Sequence, residues 1–534
     1  MSVLSIEGLR VGVVGKPDEV VKGVSLTIAA GETLCLVGES GSGKSVTSLA
    51  VMGLLPKDAL QPRAGRIVLD GVDLTAASQA ELRRLRASRM SMIFQEPMTA
   101  LNPVLSVGDQ VEEVLREHTP LSPAERRARV IEMLAQVELP EPERLIHSYP
   151  HQLSGGQRQR IMIAMALALD PALLIADEPT TALDVTTQKQ ILRLIRDLQQ
   201  RRGAACLFIT HDMGVVAEIA DRVAVMRHGE LVETAPLRQL LTAPAHDYTR
   251  ALLQAVPSLR PREPRPEPEG PRALQVNELA KTYDDARRTV AARDVSFELA
   301  PGRTLGIVGE SGSGKSTVAR CVMRLIDPTA GAIRVGGVDI AHLSRRGLRP
   351  HRRRVQMVFQ DPYRSLNPRL KVGESIIEGP VNFGTPRAQA MARARQLMRL
   401  VGLPEDAVNR YPHQFSGGQR QRIAIARAVA MEPDILVADE AVSALDVSVQ
   451  AQVLELLAET QARTGFAMLF ITHDLRVAAQ ICDEVAVMRR GEVVERGPAA
   501  QVLAAPAHDY TRALLEAAPG RDWDFANFRP MKAA

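Results

Sequence analysis

The same nine residues, VGESGSGKS, occur at Val37–Ser45 and again at Val308–Ser316. Each copy fits the pattern G-x-x-x-x-G-K-S, follows an apolar strand-like run and precedes a helix-like stretch. The glycines allow turns that aim several backbone N–H groups at one point, where the helix N-terminus adds partial positive charge. A plain glycine turn is the alternative, but two matches in this context make it negligible. Both segments therefore indicate phosphate-binding loops.

Within each loop, the residue types predict different roles. The lysines, Lys44 and Lys315, are predicted to reach the β- and γ-phosphates of a nucleotide, and the final serines, Ser45 and Ser316, to ligate Mg²⁺. The predicted phosphate-binding residues are Gly38, Glu39, Ser40, Gly41, Ser42, Gly43, Lys44 and Ser45, and then Gly309, Glu310, Ser311, Gly312, Ser313, Gly314, Lys315 and Ser316.

Two acidic pairs supply the second part of each site. Asp177–Glu178 ends the run LLIADE, and Asp439–Glu440 ends the run ILVADE. At the end of a strand, the aspartate is predicted to hold Mg²⁺ through water, and the glutamate to orient and polarise the attacking water. The alternative is a pair of solvated loop carboxylates, which the apolar run immediately before each pair disfavours.

The segment LSGGQ is the third part, and its near-identical copy is FSGGQ. A serine and two glycines that open a helix present bare N–H groups and a hydroxyl, which can form a second phosphate cradle. A plain helix N-cap is the alternative. One nucleotide does not need two cradles in one domain, so each cradle is predicted to close over the nucleotide bound by the other half. The residues are Ser154, Gly155, Gly156 and Gln157, and Ser416, Gly417, Gly418 and Gln419.

These segments recur in one order, so the 534-residue chain is a tandem repeat. The predicted domains are 1–256 and 274–534. Between them, 257–273 contains RPREPRPEPEGP, whose prolines predict an extended linker. Its alternating charges are expected to keep it solvated. Within each half, apolar β-type runs alternate with helical stretches, which predicts an α/β fold with a largely parallel sheet and ligands at the carboxyl ends of its strands.

The composition narrows the possible classes of protein. Sixty-six basic and 62 acidic residues give a net charge of +4, which argues against a dedicated nucleic-acid binder. We find no secretory signal pattern and no run of about eighteen apolar residues, so nothing is expected to span a bilayer. The four cysteines are too widely spaced for a zinc or redox pair, and we expect them to be reduced, buried hydrophobic residues.

The order of phosphate loop, LSGGQ, ADE, ALD and THD resembles the nucleotide-binding domains of the ABC ATPase family, twice along the chain. The resemblance implies two tandem P-loop ABC ATPase domains. Each would have a RecA-like, mostly parallel sheet core, an antiparallel β part and a helical subdomain. It implies further roles for a set of loop residues: Gln95 and Gln360 contact Mg²⁺ and sense the membrane partner, Asp184 and Asp446 are D-loop aspartates at the dimer interface, His211 and His473 contact the γ-phosphate, and Tyr283 stacks on adenine.

Two positions depart from the pattern. Val13 occupies the place in the first half that matches Tyr283, and Ala441 stands where the first half has Pro179. The first departure puts adenine stacking at the first site in doubt. The catalytic residues are otherwise present in both halves, so we expect two sites that hydrolyse ATP.

Within the family, SLNP, YPHQxSGGQRQR and the closing HDYTRALL resemble the ATP-binding subunits of oligopeptide and dipeptide importers, here fused as in the microcin C and glutathione importer ATPases. The resemblance implies ATP-driven uptake of peptides through two integral membrane permease subunits, with an extracytoplasmic substrate-binding protein. It implies a peripheral position at the cytoplasmic face of the inner membrane, with membrane contact only through partners. It also implies that the chain does not bind nucleic acid directly. Importers of glutathione, nickel or opines are alternatives. A soluble ABC translation factor is another, although such proteins usually have a long charged helical linker.

Overall fold

The computed structural model describes residues 2–95, 100–181, 183–266, 268–284, 288–443 and 445–531. It divides into two compact units, the first comprising Met1–Val256 with Pro519–Ala534 and the second Pro257–Ala518. The C-terminal segment thus departs from the predicted domain 274–534. The Gly520 N–H donates to Glu218 Oε1 at 3.0 Å, and Phe525 is buried, which ties this segment to the first unit.

The strands of the first unit form two sheets. One sheet is antiparallel, in the order β2-β1-β4-β5; the other has the order β10-β9-β3-β8-β7-β6, with β10 antiparallel and the rest parallel. The strands are β1 (Ser2–Val13), β2 (Glu19–Ala29), β3 (Thr33–Val37), β4 (Leu60–Leu69), β5 (Val72–Asp73), β6 (Met90–Ile93), β7 (Leu173–Asp177), β8 (Ala205–Thr210), β9 (Arg222–Arg227) and β10 (Glu230–Pro236).

Helices of the first unit connect and cover these strands. They are α1 (Lys44–Val51), α2 (Gln79–Leu85), α3 (Val107–His118), α4 (Pro123–Gln136), α5 (Pro142–Leu145), α6 (Gly155–Ala166), α7 (Val185–Arg202), α8 (Met213–Ile219), α9 (Leu237–Thr242) and α10 (Asp247–Gln254), with a 3₁₀ turn at Pro150–Gln152. Helices α3 to α6 follow one another between β6 and β7 and form the helical subdomain that the family resemblance implies.

The second unit repeats both sheets, in the orders β12-β11-β14-β15 and β16-β17-β18-β13-β19-β20. Its strands are β11 (Leu274–Thr282), β12 (Val290–Leu299), β13 (Thr304–Val308), β14 (Ala330–Val335), β15 (Val338–Asp339), β16 (Val355–Val358), β17 (Ile435–Asp439), β18 (Ala467–Ile471), β19 (Glu484–Arg489) and β20 (Glu492–Pro498). The predicted mostly parallel sheet with an antiparallel part is confirmed in both units.

The helices of the second unit follow the same order. They are α11 (Lys315–Val322), α12 (Arg345–Arg354), α13 (Pro362–Ser365), α14 (Val372–Asn382), α15 (Arg387–Leu400), α16 (Gly417–Val429), α17 (Val447–Thr464), α18 (Leu475–Ile481), α19 (Ala499–Ala504) and α20 (Asp509–Ala517), with 3₁₀ turns at Glu405–Asn409 and Pro412–Gln414. The C-terminal segment adds β21 (Trp523–Asp524), a 3₁₀ turn (Phe525–Asn527) and β22 (Arg529–Pro530). Within the described ranges, no helix has both the length and the apolar character needed to cross a membrane.

The central strands are buried along their whole length because helices and the antiparallel sheet pack against the parallel sheet. Strands β3, β7 and β8 have every residue buried, and each reads in the sequence as a continuous apolar run. All four cysteines, Cys35, Cys206, Cys321 and Cys482, are buried free thiols, as expected. These strands carry the predicted loops at their carboxyl ends.

The proline-rich linker is anchored to the second unit through two of its charges. The Arg262 N–H donates to the Ala479 carbonyl at 3.0 Å, and the Arg262 guanidinium pairs with Asp483. Arg265 forms two hydrogen bonds with the same carboxylate, at 2.9 and 2.6 Å. The expectation that the linker charges only keep the segment solvated is therefore wrong for these two arginines, since the buried Asp483 side chain requires cationic partners.

Candidate nucleotide-binding sites

The first phosphate loop joins β3 to α1. Gly43 has φ 102° and is the N-cap of α1, so the helix starts directly from the loop. Gly38 has φ 150°, and a Cβ added there would lie 2.2 Å from the Met226 carbonyl oxygen. Only glycine fits this close approach of two backbone segments. The second loop has the same geometry, because a Cβ on Gly309 would lie 2.2 Å from the Met488 carbonyl oxygen.

Each loop curves around its own lysine. Lys44 Nζ donates to the carbonyl oxygens of Gly38 at 2.7 Å and Glu39 at 2.9 Å, and the side chain is buried. Lys315 Nζ makes the matching contacts with Gly309 at 2.8 Å and Glu310 at 2.7 Å. The ammonium group thus lies inside a curve of backbone that starts a helix, which is an arrangement that attracts an anion.

A serine hydroxyl and a buried aspartate adjoin each loop. Ser45 Oγ donates to Asp177 Oδ1 at 3.1 Å, and Ser316 Oγ donates to Asp439 Oδ1 at 3.0 Å. Burial raises the pKa of Asp177 to about 6, partly offset by the hydrogen bond from Ser45. Burial also raises the pKa of Asp439. A buried carboxylate beside a serine hydroxyl is a favourable neighbour for a cation.

This donor set fits Mg²⁺ bound together with a nucleotide. Hydroxyl and carboxylate oxygens are the ligands that Mg²⁺ prefers, and proteins commonly hold it with one or two such groups plus phosphates and water. In the part of the chain that the structure describes, no group of three or more His, Cys, Asp or Glu side chains could hold a metal ion. The serine and the aspartate supply two oxygen ligands at each loop, which leaves coordination positions for phosphate oxygens and water.

Glu178 is the centre of a polar cluster at the end of β7. Its carboxylate accepts hydrogen bonds from Gln95 Nε2 at 2.8 Å and Thr181 Oγ1 at 3.0 Å, and a further bond joins it to His211 Nδ1 at 3.0 Å. Burial acts to raise the pKa of Glu178, but His211 and Thr181 outweigh it and hold the pKa below its ordinary value. The structure thus brings together Gln95, Glu178 and His211, which the sequence placed far apart.

The same cluster occurs in the second unit with one difference. Gln360 Nε2 donates to Glu440 Oε2 at 2.7 Å, and His473 Nδ1 lies 3.5 Å from Glu440 Oε1. The Glu440 pKa is held below its ordinary value because the bond from His473 outweighs burial. The hydroxyl of Ser443 donates to the Glu440 carbonyl oxygen at 3.0 Å, whereas its counterpart Thr181 donates to a carboxylate.

Both glutamates have unusual backbone geometry. Glu178 has φ 47° and Glu440 has φ 48°, in the left-handed region that non-glycine residues rarely adopt. Their N–H groups donate to the carbonyl oxygens of Ile209 at 2.9 Å and Ile471 at 3.0 Å. The neighbouring strand therefore holds each glutamate in this conformation, which turns its side chain toward the glutamine and the histidine.

The LSGGQ segment starts α6 with a capping box. Ser154 Oγ accepts the Gln157 N–H at 3.2 Å, and Gln157 Oε1 accepts the Ser154 N–H at 3.0 Å. The N-cap interpretation is thus observed, and contact of this segment with a nucleotide stays a prediction. A Cβ on Gly156 would lie 2.8 Å from Thr187 Cγ2, and the Thr187 N–H donates to Asp184. The predicted D-loop aspartate and the LSGGQ segment are therefore neighbours.

The second unit repeats this arrangement. Ser416 Oγ accepts the Gln419 N–H at 3.3 Å, and a Cβ on Gly418 would lie 2.3 Å from Val449 Cγ1. Asp446 is the N-cap residue of α17. Close approach of the two helix starts thus requires glycine at this position in both halves.

Tyr283 lies beside the phosphate-loop helix of the second unit. Its hydroxyl is 3.4 Å from Thr317 Oγ1 in α11, and Lys281 Nζ lies 5.3 Å from the centroid of its ring. This position suits an aromatic ring that stacks on the base of a bound nucleotide, and the stacking itself stays a prediction. Val13 ends β1 in the first unit and offers no ring.

Sequence reasoning missed two kinds of residue. It did not identify Thr181 as a partner of Glu178, although the repeat difference between PTT and AVS marked this position. It also treated the closing HDYTRALL only as a family marker. In the structure its tyrosines, Tyr248 and Tyr510, contact the phosphate loops.

The matching families and the related import proteins agree with these features. The family described as "ABC transporter" matches residues 21–181 and 292–443, and the "Oligopeptide/dipeptide transporter, C-terminal region" matches 232–288 and 494–527. The glutathione import ATP-binding protein GsiA of Salmonella paratyphi A is 48% identical over 560 residues, covering 97% of this chain and 90% of the relative. GsiA of Escherichia coli O157:H7 is 47% identical over 558 residues, with the same coverage. A solved dimeric ATP-binding cassette with ADP and Pi is 30% identical, with a TM-score of 0.40 over 44% of this chain and 98% of that one.

Proposed function

This chain belongs to the ABC transporter family of ATP-binding, ATP-hydrolysing proteins, and we propose that it powers the import of peptides or peptide-like compounds, glutathione among them. The observation that carries the proposal is the similarity to glutathione import ATP-binding proteins over 97% of the chain. The match of an oligopeptide/dipeptide transporter region after both ATPase domains supports the same cargo class. Glutathione is a small peptide, so the two lines of support agree.

The geometry supports a division of labour within each site. We assign Lys44 to the β- and γ-phosphates, because its ammonium group lies inside the curve of the loop. Ser45 and Asp177, with Gln95 nearby, would hold Mg²⁺, which supplies neutralisation of phosphate charge when bound. In the second site, the equivalent residues are Lys315, Ser316, Asp439 and Gln360.

Glu178 and Glu440 are proposed as the general bases that orient and polarise the attacking water. Their lowered pKa values keep both carboxylates ionised at neutral pH, so each can accept a hydrogen bond from water. His211 and His473 are bonded to the glutamates and are proposed to contact the γ-phosphate. A change at the γ-phosphate would thereby be transmitted to the catalytic glutamate through one hydrogen bond.

Two composite sites are part of the proposal. Each phosphate loop would be completed by the LSGGQ segment and D-loop of the other half, namely Ser416 and Asp446 for the first site and Ser154 and Asp184 for the second. Binding of two ATP molecules would close the halves, and hydrolysis would reopen them. The exposed N–H groups at the start of α6 and α16 suit an anionic ligand.

Partners and location follow from the importer class. We propose two integral membrane permease subunits and an extracytoplasmic substrate-binding protein. The chain would lie at the cytoplasmic face of the inner membrane and contact the membrane only through the permeases. The glutamines Gln95 and Gln360 would transmit the nucleotide state to these subunits.

Co-purification tests the proposal directly. The tagged chain would be extracted from its own cells in mild detergent, with the untagged strain as control, and its partners quantified by mass spectrometry. Two integral membrane proteins in near-equal amounts are expected, together with uptake of labelled peptide that glutathione or dipeptides inhibit. Ribosomal proteins without membrane subunits would instead favour a soluble translation factor, and inhibition only by nickel or opines would overturn the cargo class.

A further inference from the structure

The last helix of each half reaches the phosphate loop of its own unit. The Glu39 N–H donates to the hydroxyl oxygen of Tyr248, in α10, at 3.3 Å. The Glu310 N–H donates to Tyr510, in α20, at 3.2 Å. Both tyrosines are buried. The same contact thus occurs twice, between segments about two hundred residues apart in the chain.

The tyrosine in the first unit is held by three neighbours. The Arg227 guanidinium lies 4.8 Å from the centroid of its ring, and the Tyr248 N–H donates to His246 Nδ1 at 3.0 Å. The carboxylate of Glu233 accepts the N–H groups of Ala245 at 2.8 Å and His246 at 3.0 Å. The start of α10 is therefore fixed to β10, and the phenol is pre-positioned. The second unit repeats each contact with Arg489, His508, Glu495 and Ala507.

The hydrogen bond acts on a peptide group that also holds the P-loop lysine. The N–H of Glu39 and the carbonyl of Gly38 belong to one planar peptide unit. Lys44 donates to that carbonyl at 2.7 Å, while Tyr248 accepts from that N–H at 3.3 Å. Rotation of this peptide would move the lysine anchor and redirect the first turn of the loop. The phenol oxygen opposes that rotation from the side away from the lysine.

We propose that Tyr248 and Tyr510 are positioning residues of the two ATP sites, whose hydroxyl groups fix the first peptide of each phosphate loop for nucleotide binding. This role goes beyond the proposed import function and rests only on ATP binding by the loops. It also gives a physical task to HDYTRALL, which ends both halves.

The ionisation of the phenols is consistent with this role. The pKa of Tyr248 is raised to about 12, mainly by burial; the hydrogen bond from the Glu39 N–H lowers it in part, and the Glu39 side chain raises it. Burial raises the pKa of Tyr510 to about 12 in the same way, with Glu310 as the hydrogen-bonded partner. Both hydroxyls therefore keep their proton at neutral pH. Each can accept a hydrogen bond from the loop N–H while it donates its own proton to the side chain of the same glutamate.

Removal of the two hydroxyl oxygens tests the proposal. A chain with Tyr248→Phe and Tyr510→Phe keeps the rings but leaves the Glu39 and Glu310 N–H groups without these acceptors. The loss of one hydrogen bond per site is expected to weaken binding of a fluorescent ADP analogue by about fivefold. The KM for ATP should rise by a similar factor while kcat stays within about twofold, because the loop contacts phosphate before and during the reaction.

A matched control changes packing in the same helices without touching the hydroxyls. Leu252→Val with Leu514→Val removes one methylene from a buried leucine in α10 and in α20. This chain should unfold at a lower temperature but bind the ADP analogue within twofold of the parent. The proposal is overturned if the chain with Tyr248→Phe and Tyr510→Phe binds ADP as tightly as the parent. It is also overturned if the chain with Leu252→Val and Leu514→Val loses as much affinity as the tyrosine variant. Because the assay measures nucleotide binding alone, its outcome is independent of the proposed cargo.

Discussion

Asp177→Asn is expected to stabilise the first unit and at the same time to weaken binding of a Mg²⁺–nucleotide complex. Burial raises the pKa of Asp177 from 3.8 to about 6. The folded unit therefore binds this proton more tightly than the unfolded chain, so the free energy of unfolding falls as pH rises from about 4 through about 6. Asparagine has nearly the same shape, can still accept the Ser45 hydroxyl, and carries no charge.

The magnitude follows from the two pKa values. A carboxyl that titrates at 3.8 when unfolded and at about 6 when folded costs about 3 kcal/mol of stability above pH 7. For a unit of this size, that corresponds to a rise in the unfolding midpoint on the order of 5–10 °C for the variant. At pH 5 roughly half of the variant's gain in the free energy of unfolding should remain. Most of the parent carboxyls in the folded state are then protonated, so the parent no longer bears the full cost of a buried charge.

Thermal unfolding in EDTA at pH 7.5 and pH 5, repeated with Mg²⁺ and ADP, measures both effects. Asp439→Asn should act in the same direction in the second unit, since burial raises its pKa too. Asp483→Asn should destabilise that unit, because Arg265 and Arg262 outweigh burial and lower the pKa of Asp483. A midpoint for Asp177→Asn at or below that of the parent at pH 7.5 would refute this electrostatic reasoning.

Three further outcomes are expected. Lys44→Ala should remove one of two ADP sites, because it deletes the ammonium group that lies inside the loop; titration that still shows two sites of unchanged affinity contradicts this role. Glu178→Gln with Glu440→Gln should lower steady-state ATP turnover at least about 100-fold while ATP still binds within a few fold, and normal turnover would remove both residues from the mechanism. Gly156→Ala would place a Cβ 2.8 Å from Thr187 Cγ2 and should impair ATP hydrolysis. Adding Thr187→Ser deletes that methyl group and should restore the rate, and failure to do so would show that the clash is not the cause.

Much of the fold and of the site could be predicted because it depends on local pattern. Strands β3 and β7 are continuous apolar runs that end in a glycine-rich loop and an acidic pair, so their carboxyl ends had to carry the site. The repeat then doubled each observation. Ser45 beside Asp177 follows from the same rule, since Ser45 lies in the first turn of the helix that follows the β3 loop and Asp177 ends β7 of the same parallel sheet.

Other features depend on tertiary contacts that leave no local signal. The bond between Tyr248 and Glu39 needs α10 to fold back on the loop, and nothing in the spacing of HDYTRALL specifies that path. Alternating charges usually lie in solvent, so the sequence predicts solvated linker arginines. Asp483 is buried, however, and forms ion pairs with Arg262 and Arg265. The C-terminal segment likewise joins the first unit through Gly520 and Phe525, which a division by sequence repeats does not anticipate.

Uptake in cells tests the central claim most directly. A strain that lacks this chain would be supplied with labelled glutathione or labelled dipeptides and complemented with the parent or with the Glu178→Gln, Glu440→Gln chain. We predict that uptake of at least one of these compounds is lost in the deletion strain and is restored by the parent alone. Uptake that is unchanged by the deletion, or that is restored equally by the variant, would contradict an ATP-hydrolysing importer subunit for peptides.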